Sequence, residues 1–320
     1  MRVLVTGATG FLGGALCRRL AQLGHQPIAL GRDRAKLAAL DAQGFRTIAA
    51  DLASDPPPAT EADAFVHCAA LSSPWGRLAD FHRANVAGTQ AALDLARRGG
   101  AKRFVHISTP SLYFRFADQL NVREDMMLPS PVNAYARTKR AAEALVMDAP
   151  DLDPIILRPR GLYGAGDTAL LPRVLAAARV RPLPYLNDGR TVSDLTHVDD
   201  VADASIAALN APPMPAKRVF NISGGVGLNV CDVAERAAKR AGVTVRWKPL
   251  STRVVLAFAR ASEGAAALFG GSEPPITVYG VGLFAYSQTL DISAAQAHLG
   301  WRPRISFDEG LDLTFRSEAA

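Results

Sequence analysis

The feature that most restricts this chain stands at its start. Arg2-Val3-Leu4-Val5 reads as a strand and runs directly into Thr6-Gly7-Ala8-Thr9-Gly10-Phe11-Leu12-Gly13. Three glycines at this spacing, between a strand and a helix, allow a tight turn, close approach of backbone to an anion, and close helix–strand packing. The helix that opens there presents free N–H groups and the positive end of its dipole. A dinucleotide pyrophosphate is the group such a turn holds, which makes Gly7, Thr9, Gly10, Phe11, Leu12 and Gly13 candidate cofactor-binding residues.

The rhythm downstream agrees. Val3–Thr6, Pro27–Leu30, Arg46–Ala50, Ala64–Cys68, Arg103–Ser108 and Pro154–Leu157 are short apolar or β-branched runs, as expected of parallel strands buried on both faces. Leu12–Leu23, Arg34–Ala42, Arg77–Arg98 and Asn133–Met147 carry apolar residues at helical spacing. This alternation predicts an α/β fold, a Rossmann-type doubly wound parallel sheet, with Arg218–Ile222 as a strand that rejoins it. Beyond about residue 165 prolines interrupt shorter elements (Arg181–Pro184, Pro212–Pro215, Pro274–Pro275), which predicts a smaller C-terminal substrate-binding lobe. The division expected is a dinucleotide-binding domain of residues 1–165 with a returning segment at about 190–225, and a lobe of 166–189 and 226–320. Ser293 with Gln296, and Ser306 with Glu309, read as capping boxes. Pro56-Pro57-Pro58 reads as a loop.

Composition narrows the function. The 36 Lys and Arg against 30 Asp and Glu give a net charge of +6, and the cations are scattered, without a basic block or interleaved aromatics. That pattern excludes nucleic acid as the expected partner and suits an anionic small molecule. The most apolar stretch, Val254–Phe269, is broken by Arg260 and Glu263, so no integral membrane span is expected. The strand beginning at Arg2 leaves no room for a signal peptide, and Cys17, Cys68 and Cys231 fit no pairing or C-x-x-C pattern, so a cytoplasmic setting without structural metal is expected.

The second strand ends Ala29-Leu30-Gly31-Arg32-Asp33. A carboxylate at this place reads a free 2′-hydroxyl, a cation a 2′-phosphate. Arg32 comes first, and its planar fork suits phosphate. NADP is therefore expected over NAD, with Asp33 as the competing reading.

Tyr135-Ala136-Arg137-Thr138-Lys139 sets a phenol and an ammonium four residues apart on one helix face. A phenol of pKa near 10 is a poor base, and a nearby ammonium favours its anion. Such a phenol gives a proton to a carbonyl oxygen or takes one from an alcohol. Ser108, Thr109 and Ser111, at the end of the fifth strand, supply hydroxyls that hold a substrate oxygen beside it.

These segments together, Thr6–Gly13, Asp51-Leu52, His67-Cys68-Ala69-Ala70, Ser108–Tyr113, Tyr135–Lys139 and Leu157-Arg158-Pro159, resemble the extended short-chain dehydrogenases/reductases, the NAD(P)-dependent epimerase/dehydratase superfamily. The resemblance implies cofactor contacts from Asp51 and Leu52 at the adenine, Ala69 and Ala70 along the fourth strand, and Pro159 near the nicotinamide. It implies that Lys139 bonds the nicotinamide ribose and that Thr109 fills the catalytic hydroxyl place. Asn85 matches a recurrent helix position taken as structural. A homodimer, through helices like Arg77–Arg98 and Asn133–Met147, is expected by analogy.

Gly161 stands where nucleotide-sugar members carry an asparagine, which weakens that branch. The segments Leu157–Asp167, His197–Val201 and Tyr279–Leu283 are instead similar to the 3β-hydroxysteroid dehydrogenase-like branch, which works on bulky apolar alcohols and ketones. Val254–Phe258, Leu268-Phe269 and Val278–Tyr286 are expected to line an apolar pocket or to fill the lobe's own core. His197 reads as part of a capped helix start rather than a catalytic base, and Asp199–Asp200 as no metal site. The expectation is thus an NADP(H)-dependent oxidoreductase moving a hydride between nicotinamide and a secondary carbinol or ketone carbon, with Tyr135 as acid/base, Lys139 as its activator and Thr109 as anchor. The rivals are a nucleotide-sugar epimerase or dehydratase, whose diphosphate Arg173, Arg190 and Arg253 would hold, and a non-catalytic NADPH sensor.

Overall fold

Strand residues alternate between two faces, so a sheet covered on both sides needs apolar residues in both phases. Val3 and Val5 point to one face and Leu4 to the other, as do Val105 against Phe104 and Leu157 against Ile156. The computed structural model, which describes residues 1–55, 57–214, 218–268 and 273–317, builds seven parallel strands from such runs. They are β1 (Arg2–Thr6), β2 (Gln26–Gly31), β3 (Arg46–Ala49), β4 (Ala64–His67), β5 (Arg103–Ile107), β6 (Pro154–Pro159) and β7 (Val219–Ile222). Their order is β7-β6-β5-β4-β1-β2-β3, so the winding reverses between β1 and β4, and their carboxyl ends flank the crevice where ligands bind in such sheets. The segment after residue 218 does rejoin the sheet, pairing Phe220 with Leu157.

Helices cover both faces. On one, α1 (Phe11–Gln22) and α7 (Val198–Asn210) press Leu16, Leu20, Val201 and Ile206 onto Val3, Val5, Val105 and Leu157. On the other, α4 (Gly88–Arg98) and α5 (Ala134–Met147) press Leu93, Leu95, Ala96 and Val146 onto Leu4, Phe65, Phe104 and Ile156. Each such Leu, Ile, Val or Phe side chain contributes roughly 1.5–3 kcal/mol by leaving water. α2 (Arg34–Asp41) follows β2, and α3 (Leu78–Phe81) passes through a π-helical stretch, His82–Ala87, into α4.

The remaining chain forms a less regular lobe. A small sheet joins Gly227–Asn229, Val192–Asp194, Gln288–Leu290 and Gln119–Val122, accompanied by α6 (Leu171–Val180), α8 (Val230–Arg240), α9 (Thr252–Leu268) and α10 (Val278–Ala285). Of the two expectations for the apolar segments here, the lobe's own core accounts for four residues. Val255, Leu256, Val281 and Ala285 fill the lobe's core, while Val254, Phe258 and Leu268 are 63–83% exposed on the outer face of α9. Pro56, Pro215 and Phe269 lie outside the described residues.

One expected cap also changes. α11 (Ser293–Leu299) begins one residue earlier than the capping box requires, with Ile292 in the cap position, and the Asp291 carboxylate accepts the Ser293 N–H at 2.7 Å. Ser306 keeps its part, accepting the Glu309 N–H at the start of α12 (Phe307–Ser317). Among the described residues no helix is long and apolar enough to cross a membrane.

Candidate active site

The glycine turn is as tight as its sequence demands. Gly7 adopts φ +68°, and a Cβ there would lie 2.8 Å from the Ala69 nitrogen; a Cβ on Gly13 would lie 2.3 Å from the Gly7 carbonyl. Gly10 precedes α1 with no side-chain cap, and the first turn holds no acidic residue. Its leading N–H groups therefore face the crevice uncompensated, an arrangement that fits a pyrophosphate. Thr6, at the end of β1, accepts the Ala69 N–H at 3.2 Å and so ties Ala69 and Ala70 to the turn.

At the end of β2 the two competing readings separate. The Asp33 carboxylate caps α2, accepting the Lys36 N–H at 3.1 Å. Arg32 is exposed, its guanidinium 3.8 Å from the Asp51 carboxylate, and Arg83 approaches the same oxygen at 3.6 Å. Leu52 packs into the core below.

Tyr135 and Lys139 lie in the first two turns of α5, whose start Asn133 caps by accepting the Ala136 N–H at 2.8 Å. Asn85 fixes this region: its amide holds both backbone groups of Leu71 and donates to Thr138 Oγ1 at 3.1 Å. The half-buried Tyr135 phenol meets the hydroxyls of Ser72 and Thr109. Burial raises its pKa above 10, and those two hydroxyls oppose the rise.

Lys139 is nearly inaccessible. Its Nζ donates to the Ile107 carbonyl at 2.6 Å and lies 3.1 Å from His106 Nε2. Burial pushes its pKa down to about 8, against the pull of Glu143 and Cys68. The expected action of the ammonium on the phenol is absent from this arrangement. The shared helix face is present, but the long side chain reaches the carbonyl row of β5 instead of the tyrosine, and Lys139 is not among the groups that shift Tyr135.

Thr109 and Ser111 form a hydroxyl relay. Thr109 Oγ1 accepts the Ser111 N–H at 3.1 Å and donates to Ser111 Oγ at 2.9 Å. Ser111 Oγ in turn pairs with the Tyr279 hydroxyl at 2.6 Å. Ser108 Oγ is buried with no partner among the described residues. Tyr279 stands on α10, and its ring meets Phe114 edge-on at 5.2 Å; Phe114 meets Phe116, and Phe116 meets Tyr286, in the same way. This aromatic wall joins the lobe to the end of β5.

The sequence assigned no role to three residues of the site: Ser72 beside Tyr135, Tyr279, named there only as part of a segment, and Arg160, just past Pro159 at the end of β6. Arg160 is 6% exposed, and its Nη2 donates to Ser193 Oγ at 3.0 Å. Next to it Gly161 holds φ +55°, and a Cβ there would lie 2.7 Å from the Asp194 carbonyl. Arg173 and Arg190 are paired on the surface, with Glu273 and Asp188. His197 caps α7 itself, its Nδ1 accepting the Asp199 N–H at 3.3 Å, and Asp200 accepts the N–H groups of Arg304 and Ile305.

A doubly wound sheet with a glycine turn at its switch point, and a tyrosine among hydroxyls at the end of the fifth strand, defines an extended short-chain dehydrogenase/reductase. Residues 3–223 match the NAD dependent epimerase/dehydratase family, and the chain belongs to that family of enzymes. Among its relatives is a 2-alkyl-3-oxoalkanoate reductase of Stenotrophomonas maltophilia (strain K279a), 32% identical over the full length of both chains. Another is a sterol-4-alpha-carboxylate 3-dehydrogenase (decarboxylating) of Candida albicans (strain SC5314), 28% identical over 98% of this chain and 96% of the other. The solved structure of MoeE5 with UDP-glucose and NAD superposes with a TM-score of 0.77 at 26% identity, covering 100% of this chain and 99% of that one. These relatives bear out an oxidoreductase of the ketoreductase type with a nicotinamide cofactor.

Proposed function

We propose that the protein is an NADP(H)-dependent reductase that interconverts a ketone and a secondary alcohol on a bulky, largely apolar small molecule. The observation that carries this reading is the Tyr135 phenol, surrounded by the Thr109 and Ser72 hydroxyls and backed through Ser111 by the Tyr279–Phe114–Phe116 aromatic wall. A bound nicotinamide supplies or accepts the hydride. The side chains do the rest.

Tyr135 gives its proton to the carbonyl oxygen, and the Thr109 hydroxyl turns from Ser111 to donate to the same oxygen and fix its position. A phenol that burial keeps protonated suits reduction. Lys139 has three N–H donors, of which Ile107 and His106 engage two. The third is left for the cofactor ribose. Gly7, Thr9, Gly10, Phe11, Leu12 and Gly13 take the pyrophosphate, Asp51 and Leu52 the adenine, and Ala69, Ala70 and Pro159 the nicotinamide half.

Arg32 takes the 2′-phosphate. Asp33 is engaged in capping α2, and Arg83 adds a second cation nearby, which supports NADP over NAD. In this reading residues 1–165 and about 190–225 bind cofactor and the remainder receives substrate, in a cytoplasmic homodimer. The partly exposed Leu78 of α3 supports the dimer face.

The likeness to MoeE5 favours a second reading, epimerase or dehydratase chemistry on a nucleotide-sugar. Gly161 speaks against it, since its backbone and the adjacent Asp194 carbonyl leave no space for an asparagine side chain. Arg173 and Arg190, engaged elsewhere, add to that. A screen of NADPH and NADH oxidation against steroid ketones, long-chain 3-oxo compounds and aromatic ketones tests the proposal. Turnover with NADPH supports it. A co-purifying UDP-sugar with no ketone turnover supports the rival, and cofactor binding without any turnover supports a sensor.

A further inference from the structure

Arg160 is a buried cation with no ion pair among the described residues. Its 6% exposure places the guanidinium inside the protein, yet among the described residues its side chain makes one hydrogen bond, to Ser193 Oγ at 3.0 Å, and no ion pair. Its Nε is buried with no acceptor among the described residues. The Asp194 carboxylate attracts it only from beyond ion-pair distance, and itself accepts the Leu290 N–H at 2.7 Å and a bond from Ser223. The contrast with Arg158, two residues earlier, is sharp: that guanidinium forms a bidentate pair with Glu143 and a further bond to Tyr113. A guanidinium withdrawn from water without an anion in contact costs several kcal/mol, and chains seldom keep one without use.

The position of Arg160 says what the use is. It follows Pro159 at the carboxyl end of β6, the edge where ligands of such sheets bind. Its charge is felt by the Tyr279 phenol, which pairs with Ser111, which is bonded to Thr109. We infer that Arg160 is a substrate-binding residue for an anion: it receives the carboxylate of an oxo acid whose ketone oxygen lies at Tyr135 and Thr109. A single guanidinium flanked by the Ser193 hydroxyl matches a monocarboxylate; a diphosphate would call for several cations. Two relatives bear names that specify carboxylate substrates, an oxoalkanoate and a sterol carboxylate. The inference rests on the ketoreductase reading and narrows it to substrates that carry their own acid group.

The test compares 3-oxodecanoate with its methyl ester, with NADPH, in the wild type, Arg160→Met and Arg160→Lys. The wild type is expected to favour the acid by about 100-fold in kcat/KM, Arg160→Met to lose about that factor on the acid and less than about 3-fold on the ester, and Arg160→Lys to recover part of it. Isothermal titration of 3-hydroxydecanoate in the presence of NADP is expected to show the same loss of affinity in Arg160→Met. The melting temperature of Arg160→Met should stay level or rise, because an unpaired buried charge has been removed. Equal losses on acid and ester, or a wild type indifferent to the acid group, overturn the role of Arg160 and leave the ketoreductase reading standing. Turnover of neither compound, nor of any ketone in the wider screen, overturns that reading itself.

Discussion

The Lys139 ammonium lies 3.1 Å from Nε2 of His106, and both side chains are closed off from water. A charged lysine can only donate, so Nε2 accepts and the ring proton sits on Nδ1, which has no partner among the described residues. His106 thus positions the lysine and helps keep it charged. With the Lys139 pKa near 8, activity that needs the ammonium falls as pH rises through that value. Replacing His106 with Leu removes the acceptor and should move the basic limb of the kcat/KM profile down by about half to one pH unit, with a smaller effect on kcat near neutrality.

The stacked pair His67 and His106, 5.4 Å between centroids, makes acid the weak side of the fold. Burial, helped by the Lys139 charge, lowers the His67 pKa to about 3 and moves His106 the same way. His67 donates from Nε2 to Thr89, whose own proton goes to the Asn85 carbonyl, and accepts from Thr6 at Nδ1. The unfolded chain takes up protons below about pH 6.5 that the folded chain refuses. Stability is therefore full above that pH and falls on the way to pH 3, by on the order of 4 kcal/mol for His67 alone. Urea unfolding followed between pH 7 and 4 should show this slope, and His67→Asn should flatten it.

Cofactor choice turns on Arg32. Arg32→Ala should lower kcat/KM for NADPH about 10–100-fold and leave NADH nearly unchanged, because a charge-assisted phosphate contact is lost and no hydroxyl contact is touched. Asp33→Asn, which keeps a capping oxygen, should change neither cofactor's constants by more than about 3-fold. Initial-rate kinetics with both cofactors measures each.

Gly161 should resist the family's asparagine. Its φ of +55° and the Asp194 carbonyl in the path of a Cβ predict that Gly161→Asn destabilises the protein by about 2–3 kcal/mol and confers no binding of a UDP-sugar. Chemical denaturation and a UDP-glucose titration check both halves.

Much of this architecture was legible because buried parallel strands write themselves as unbroken apolar runs, and the phosphate turn as fixed glycines. The ends of β2 and β5 made Arg32 and the hydroxyls of Ser108, Thr109 and Ser111 candidates, while Ala69 and the choice of Thr109 came from the family resemblance. The contacts that complete the site left no such trace. Ser111 and Tyr279 are 168 residues apart, so no local spacing could join them. Arg160 reads in sequence as one more surface arginine, and only its burial gives it meaning. The π-helical stretch His82–Ala87 lies inside a pattern that looked simply helical, and α9 misled because a helix with apolar residues all round does not say which face is covered.

The central claim is that Tyr135 carries the proton for a ketone reduction. Tyr135→Phe keeps the ring and deletes only the hydroxyl, so cofactor affinity and the melting temperature should stay close to wild type. Single-turnover reduction of a ketone identified in the NADPH screen is then expected to slow by about 1,000-fold or more. A variant that reduces the same ketone at the wild-type rate would contradict the account at its root.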